Sequence, residues 1–168
     1  LKRGEALDLL GLLRGLSTRR ICQIGGRRGG SLFLFGRAAD PGSRILVIDL
    51  DFPPERRAAC RSLLDPGQEV TCLEMDSHDG ATLEEARRWL GGELLDFLSI
   101  GGDHSRRGVE GDYRSYCELV RDGGLIAIHG IAGGPTGPDG LPRSGVPAFW
   151  ITLRKEETEI REFVEDWR

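Results

Sequence analysis

The sequence lacks any apolar stretch approaching the roughly 20 residues that span a bilayer, so no membrane-crossing helix is expected. It also lacks a Cys-x-x-Cys pair. Cys22, Cys60, Cys72 and Cys117 lie far apart, a spacing that suits neither a zinc site nor a disulfide framework. Cys22 and Cys72 fall in apolar runs, where a thiol behaves as a small hydrophobe. Reduced cysteines and a cytoplasmic location are therefore expected. There is no excess of positive charge: the formal net charge is -4, which argues against nucleic acid or an anionic membrane as partner. Arginines are numerous but scattered beside acids, as on solvated helix faces. The chain has no initiating Met and opens with Lys2, Arg3, Glu5 and Asp8 rather than a secretory signal, so it is expected to be a fragment of something longer. Internal repeats and an interdomain linker are absent too.

What is present is an alternation of strand and helix signals within 168 residues, enough for one domain with a buried core. Leucines at positions 7, 9, 10, 12, 13 and 16 repeat at helical spacing, so residues 1–17 are expected to form an amphipathic helix. Strands are expected at 20–24, 43–48, 69–75, 94–100 and 124–129. Helices are expected at 31–39, 53–64, 82–90, 109–121 and 146–154. Pro53 and Pro54 suit a first helical turn, and Thr82 with Glu85 has the form of a capping box. Residues 133–145 form a Gly/Pro-rich loop of a length that often covers a site, and 159–164 reads as a sixth strand. The usual last strand of such a fold is not visible. The pattern predicts an α/β fold: a Rossmann-like, doubly wound, mostly parallel sheet flanked by helices over residues 1–168.

In such sheets ligands bind beyond the carboxyl ends of the strands, where strand order reverses. The first strand ends in Q-I-G-G-R-R-G-G-S, residues 23–31. These glycines let a backbone approach a ligand closely, and the next helix offers free N–H groups at its start. The loop is not a dinucleotide fingerprint, because Arg27 stands where the second glycine of G-x-G-x-x-G belongs, nor is it a Walker loop. On its own it equally suits a tight strand-to-helix turn. The second strand ends in V-I-D-L-D, placing Asp49 where a carboxylate can accept from ribose hydroxyls, with Asp51 two residues further out. The third ends at Asp76 and Ser77, the fourth in G-G-D-H, residues 101–104, and the fifth at His129 and Gly130. Any one of these acids could serve as a helix cap; four polar or glycine-rich tips in succession suggest a ligand crevice.

At these residues the chain resembles the class I methyltransferases of the cephalosporin hydroxylase and rhamnosyl O-methyltransferase group. The similarity is carried by Q-I-G-G-R-R-G-G-S, V-I-D-L-D, M-D-S-H-D-G-A-T-L-E, D-F-L-S-I-G-G-D-H-S-R-R-G-V-E-G-D-Y and G-V-P-A-F-W, over residues 18–155. The resemblance implies S-adenosyl-L-methionine as cofactor. It implies Gly25, Gly26 and Gly29 at the methionine part, Ser31 at the helix start, Asp49 at the ribose, and Asp76 and Ser77 near the adenine. Gly101 belongs to the same cofactor loop, and Asp103 and His104 would face the transferring methyl. Arg27 and Arg28 are candidates for the cofactor carboxylate or an acidic acceptor, and His78 for the adenosine side.

Three positions depart from the family pattern. Gln23 stands in place of an acid, Gly101 replaces the first Asp of Ile-Asp-Gly-Asp-His, and Gly130 replaces the Asp of His-Asp. In related metal-dependent enzymes those last two aspartates bind magnesium. Magnesium favours hard oxygen ligands, commonly with one or two carboxylates, so no metal site is expected here. The resemblance then implies metal-independent O-methylation of a small hydroxylated acceptor, a sugar or natural product. His104 would be the general base, with His129 as second choice. The alternative is a catalytically inactive adenosylmethionine-binding or interaction module of the same fold; a nucleotide-linked oxidoreductase is disfavoured by the glycine pattern. A homo-oligomer is left open, since a neighbouring subunit often completes acceptor pockets in this family.

Overall fold

Five apolar runs become the strands of one sheet: β1 (Arg20–Ile24), β2 (Arg44–Asp49), β3 (Glu69–Glu74), β4 (Leu95–Ile100) and β5 (Val120–Ile128). The computed structural model of the chain describes residues 3–27, 29–132 and 144–164. The strand order is β3-β2-β1-β4-β5, and every neighbouring pair is parallel. Parallel neighbours need long crossovers, which helices supply. These helices are α1 (Arg3–Arg14), α2 (Gly30–Ala38), α3 (Pro54–Ser62), α4 (Gly80–Leu90), α5 (Arg106–Tyr116) and α6 (Val146–Leu153). The arrangement is the class I methyltransferase type of Rossmann-like sheet.

Each central strand is apolar on both faces because both are covered. Ile21, Ile45, Val47 and Phe97 bury against Leu9 and Leu13 of α1, Leu32 and Phe35 of α2, and Phe52 before α3. Cys22, Ile24, Leu46, Ile48, Leu98 and Ile100 face the other way, onto Ala86, Val109, Tyr116 and Phe149 of α4, α5 and α6. Full burial of each such side chain contributes about 1.5–3 kcal/mol. Phe35 meets Phe97 edge-on, ring centroids 4.9 Å apart.

Several boundaries differ from the sequence reading, each for a physical reason. The helix expected to reach residue 121 ends at Tyr116 and passes through a short 3-10 turn, Cys117–Leu119. Val120 then pairs with Leu95 in the sheet, and Arg121 is drawn to the buried Asp96 at 2.7 Å. Helix α4 begins at Gly80 with Asp79 as N-cap. Thr82 is thus no cap: it is buried in the first turn, and its hydroxyl donates to the Asp76 carbonyl at 2.5 Å. Residues 159–164 are not a strand. Their hold on α6 comes from side chains instead, with Trp150 Nε1 donating to Glu162 at 2.6 Å and Arg154 pairing with Glu162 at 3.2 Å. In α1, Leu9, Leu10 and Leu13 are buried whereas Leu7 is exposed, so the buried stripe is narrower than the leucine pattern. No helix among the described residues is long and apolar enough to cross a membrane.

Candidate functional site

The registers bring the strand tips into one row. Ile24 pairs with both Ile48 and Ile100, Ile48 also with Leu73, and Ile100 with Ile128. The residues that follow, Gly25, Asp49, Gly101 and His129, therefore stand side by side at the carboxyl edge. The strand order reverses between β1 and β4, the place where open α/β sheets bind ligands.

The glycine loop is built for close approach. Gly25 has φ +84°, and a Cβ there would stand 2.6 Å from the Gly101 carbonyl carbon. A Cβ at Gly26 would lie 2.6 Å from Val47 Cγ1. Gly29, at φ +81°, is the N-cap of α2, and no side chain among the described residues caps that helix. Its first amides stay free to donate to an anion.

Asp49 holds this loop from β2. Its Oδ2 accepts from the amides of Gly26 (2.8 Å) and Arg27 (2.9 Å) and from Arg56 at 2.7 Å. Burial pushes the Asp49 carboxyl up, but the hydrogen bonds from Arg56 and the two amides outweigh it and hold it below the usual carboxylate value. Arg56 is a residue that sequence reasoning missed. It lies on α3, stacks 4.4 Å above the Phe52 ring, and also donates to the Asp51 carbonyl. Nothing in the spacing of the sequence joins it to Asp49.

Beside this loop opens a cavity of about 1940 Å³. It exceeds the roughly 300–1,000 Å³ of an ordinary ligand pocket because it runs on past α1 to residues 157–163. Gln23, Gly25, Gly26, Arg27, Gly30, Ser31 and Gly101 line one part, and His104, His129 and Gly130 another. Gln23 is buried, donates to the Gly25 carbonyl at 3.1 Å, and leaves its Oε1 without a partner among the described residues. A buried acceptor in this state implies a missing donor. His104 and His129 face each other with ring centroids 5.7 Å apart. Burial, first of all, holds His129 below the ordinary imidazole value, so it is neutral at neutral pH.

Other candidates stand apart from the cavity lining. Asp76 and Ser77 lie at the β3 tip, where Asp76 Oδ1 binds His78 through its amide (3.0 Å) and Nδ1 (3.1 Å). Asp103 lies in the loop between β4 and α5. Its carboxylate accepts from the Ser105 amide (2.8 Å) and hydroxyl (2.9 Å) at the start of α5, and these bonds, the amide foremost, hold it below its usual value. The sequence order places it at a strand tip, yet Ser105, two residues on, captures it. Arg28 and the loop at 133–143 lie outside the described residues. Among the described residues no group of three or more His, Cys, Asp or Glu could hold a metal ion.

Comparison with known proteins agrees with the geometry. No curated protein matches the sequence. The most similar solved structures include the O-methyltransferase from Bacillus cereus in complex with SAH, with TM-score 0.63, 18% identity, and coverage of 92% of this chain and 70% of that one. A putative O-methyltransferase from Klebsiella pneumoniae gives TM-score 0.63, 18% identity and coverage of 94% and 70%. The O-methyltransferase TomG from Streptomyces achromogenes, involved in tomaymycin synthesis and solved with SAM, gives TM-score 0.57, 19% identity and coverage of 92% and 70%. These likenesses concern the fold. The family model for a methyltransferase domain matches residues 10–131, the whole sheet with its row of strand tips, and the chain belongs to that methyltransferase-domain family.

Proposed function

We propose that this domain methylates a hydroxyl of a small acceptor, a sugar or natural product, using S-adenosylmethionine and no metal. The observation that carries the reading is the unpartnered, buried Gln23 Oε1 beside the uncapped start of α2. An acceptor next to free N–H donors suits an ammonium and a carboxylate on one carbon, as in an amino-acid tail. The residues present fit the cofactor: Gln23 and the amides near Ser31 would hold that tail, with Gly25, Gly26, Gly29 and Gly101 giving it room. The other carboxylate oxygen of Asp49 would hold the ribose, and Asp76 with Ser77 the adenine. O-Methylated-product chemistry is named for solved structures of the same fold.

S-adenosylmethionine supplies an electrophilic methyl group. The protein's part is to bring a hydroxyl into line with it and remove the proton. His104 lies in the cavity wall beside His129 and Gly130. His104 would take the hydroxyl proton, with neutral His129 keeping a second positive charge away. Positions 101 and 130 bring no carboxylate, and that of Asp103 is spent on Ser105, which supports proton removal by imidazole rather than by a metal-polarised hydroxyl.

Calorimetry with S-adenosylhomocysteine tests the binding half, and turnover on a panel of hydroxylated acceptors with and without a chelator tests the chemistry. Binding without turnover on any acceptor would favour a cofactor-binding module, the reading suggested by the two glycines. Turnover abolished by the chelator would overturn metal independence.

A further inference from the structure

Helix α5 carries an acid in its apolar stripe. Val109, Tyr113 and Tyr116 bury one side of the helix, and Asp112 lies among them, fully buried. No hydrogen bond of good geometry reaches either carboxylate oxygen among the described residues, and burial, foremost, holds the carboxyl above its usual value against the Ser77 side chain and His78, which lower it. A carboxylate so placed is costly unless a charge compensates it. The compensating group is His78, whose Nε2 stands 3.4 Å from Asp112 Oδ1.

His78 belongs to the loop between β3 and α4, and three features fasten that loop to α5. Its Nε2 lies 3.1 Å from the Gly108 carbonyl oxygen. The Tyr116 hydroxyl donates to the Ser77 carbonyl at 3.1 Å. Gly111 has no side chain where one would crowd the imidazole: a Cβ there would stand 3.2 Å from His78 Cδ2. Glycine weakens a helix interior, and at residue 111 the bare backbone admits the ring.

The ring faces acceptors on both sides. Nε2 meets the Gly108 carbonyl, and Nδ1 lies 3.1 Å from Asp76 Oδ1. A neutral imidazole donates from one nitrogen only, whereas imidazolium donates from both. The charged groups that act most strongly on His78 are negative: Asp112 from α5, Asp76 from its own loop, and Asp103 from the loop before α5. Burial alone would lower its pKa, but the Gly108 carbonyl and these carboxylates outweigh burial and raise it.

We propose that Asp112 is a positioning residue: paired with protonated His78, it latches the Asp76–Ser77 turn onto α5 and so sets the adenosine end of the site. The effect on cofactor rests on the assignment of Asp76 and Ser77 to the adenine made above; the latch itself does not. A raised folded value means that the pair contributes fully below the free imidazole value of about 6.5 and is lost as pH rises through the folded value.

Two measurements test this. An NMR titration follows the His78 ring without cofactor, assigned by its absence in His78→Gln. Asp112→Asn keeps the shape, removes the charge and should lower the His78 midpoint by about one pH unit. Calorimetry with S-adenosylhomocysteine reads the consequence. Wild-type affinity should fall as pH rises through the His78 midpoint, whereas Asp112→Asn and His78→Gln should bind about tenfold more weakly at about pH 6 and with little pH dependence. His78 is an exposed loop residue with its side chain 35% accessible, so its variant keeps the test alive if Asp112→Asn does not fold. An unmoved His78 midpoint in folded Asp112→Asn, or wild-type affinity and pH profile in His78→Gln, overturns the proposal. If the intact chain binds no S-adenosylhomocysteine, the cofactor assignment falls, and the ring titration alone decides the latch.

Discussion

Gly25 at the tip of β1 lies directly against Gly101 at the tip of β4: a Cβ on residue 25 would stand 2.6 Å from the Gly101 carbonyl carbon and 2.7 Å from the Gly102 amide nitrogen. Both obstacles are backbone, so no flexible side chain can yield. Gly25 also holds φ +84°, a conformation costly for any residue with a Cβ. Gly25→Ala is expected to destabilise the domain by about 2–3 kcal/mol and to abolish measurable S-adenosylhomocysteine binding. Thermal unfolding with and without that ligand checks both. Gly30→Ala is the control for stability alone, because a Cβ there meets nothing within 4 Å.

Asp49 ties the glycine loop to β2 through one oxygen and is proposed to offer the other to the ribose. Asp49→Ala removes both roles and should weaken S-adenosylhomocysteine binding by roughly 10- to 100-fold, the range for losing charge-assisted hydrogen bonds. Arg56→Met removes only the loop-side cation, which sits 2.7 Å from Asp49 Oδ2, and should have a smaller effect in the same direction. Calorimetry at fixed salt measures both. An Asp49→Ala variant that binds as well as wild type would end the ribose assignment.

At the other end of the sheet, Asp96 is a structural acid. It is 4% exposed, accepts from the Arg19 and Arg20 amides at 2.8 Å each, and pairs with Arg121 at 2.7 Å. Burial pushes its carboxyl up, but Arg121 and the two amides outweigh burial and lower it. A lowered folded value makes the stabilisation present above the unfolded carboxyl value of about 3.9 and lost as pH falls through the folded one. Asp96→Ala should cost about 3 kcal/mol at neutral pH in urea unfolding. The difference from wild type should shrink as the medium is made acid enough to protonate Asp96.

How much of this was legible depends on what each residue answers to. The run Arg44–Asp49 announces a doubly covered strand because its apolar character is unbroken, and Asp49 follows from its end. The α5–β5 boundary was hidden because V-R-D-G-G has no period; what draws it into the sheet is Asp96, buried 25 residues earlier in the chain. The strand tips were legible as a set, since the registers that level them follow from the alternation of strand and helix. Side-chain destinations were not: Asp103 turned to Ser105, and Arg56 turned to Asp49, through loop geometry that spacing does not encode. Asp112 had a weak signal, an acid three residues after Val109 and four before Tyr116 on one helix face.

The last prediction separates the two cavity histidines. His104 is assigned the proton transfer, while His129, neutral because burial holds it below the ordinary value, is assigned only its lack of charge. His104→Gln should lower turnover by roughly 10²- to 10⁴-fold, the worth of a general base, with S-adenosylhomocysteine affinity unchanged. The acid limb of the pH–rate profile should vanish with it, because that limb reports protonation of the base. His129→Gln keeps the position neutral, so it should retain most turnover and the acid limb. If His129→Gln is the variant that loses the limb, the two roles are exchanged. If neither does, the proton leaves by another route and the imidazole mechanism fails.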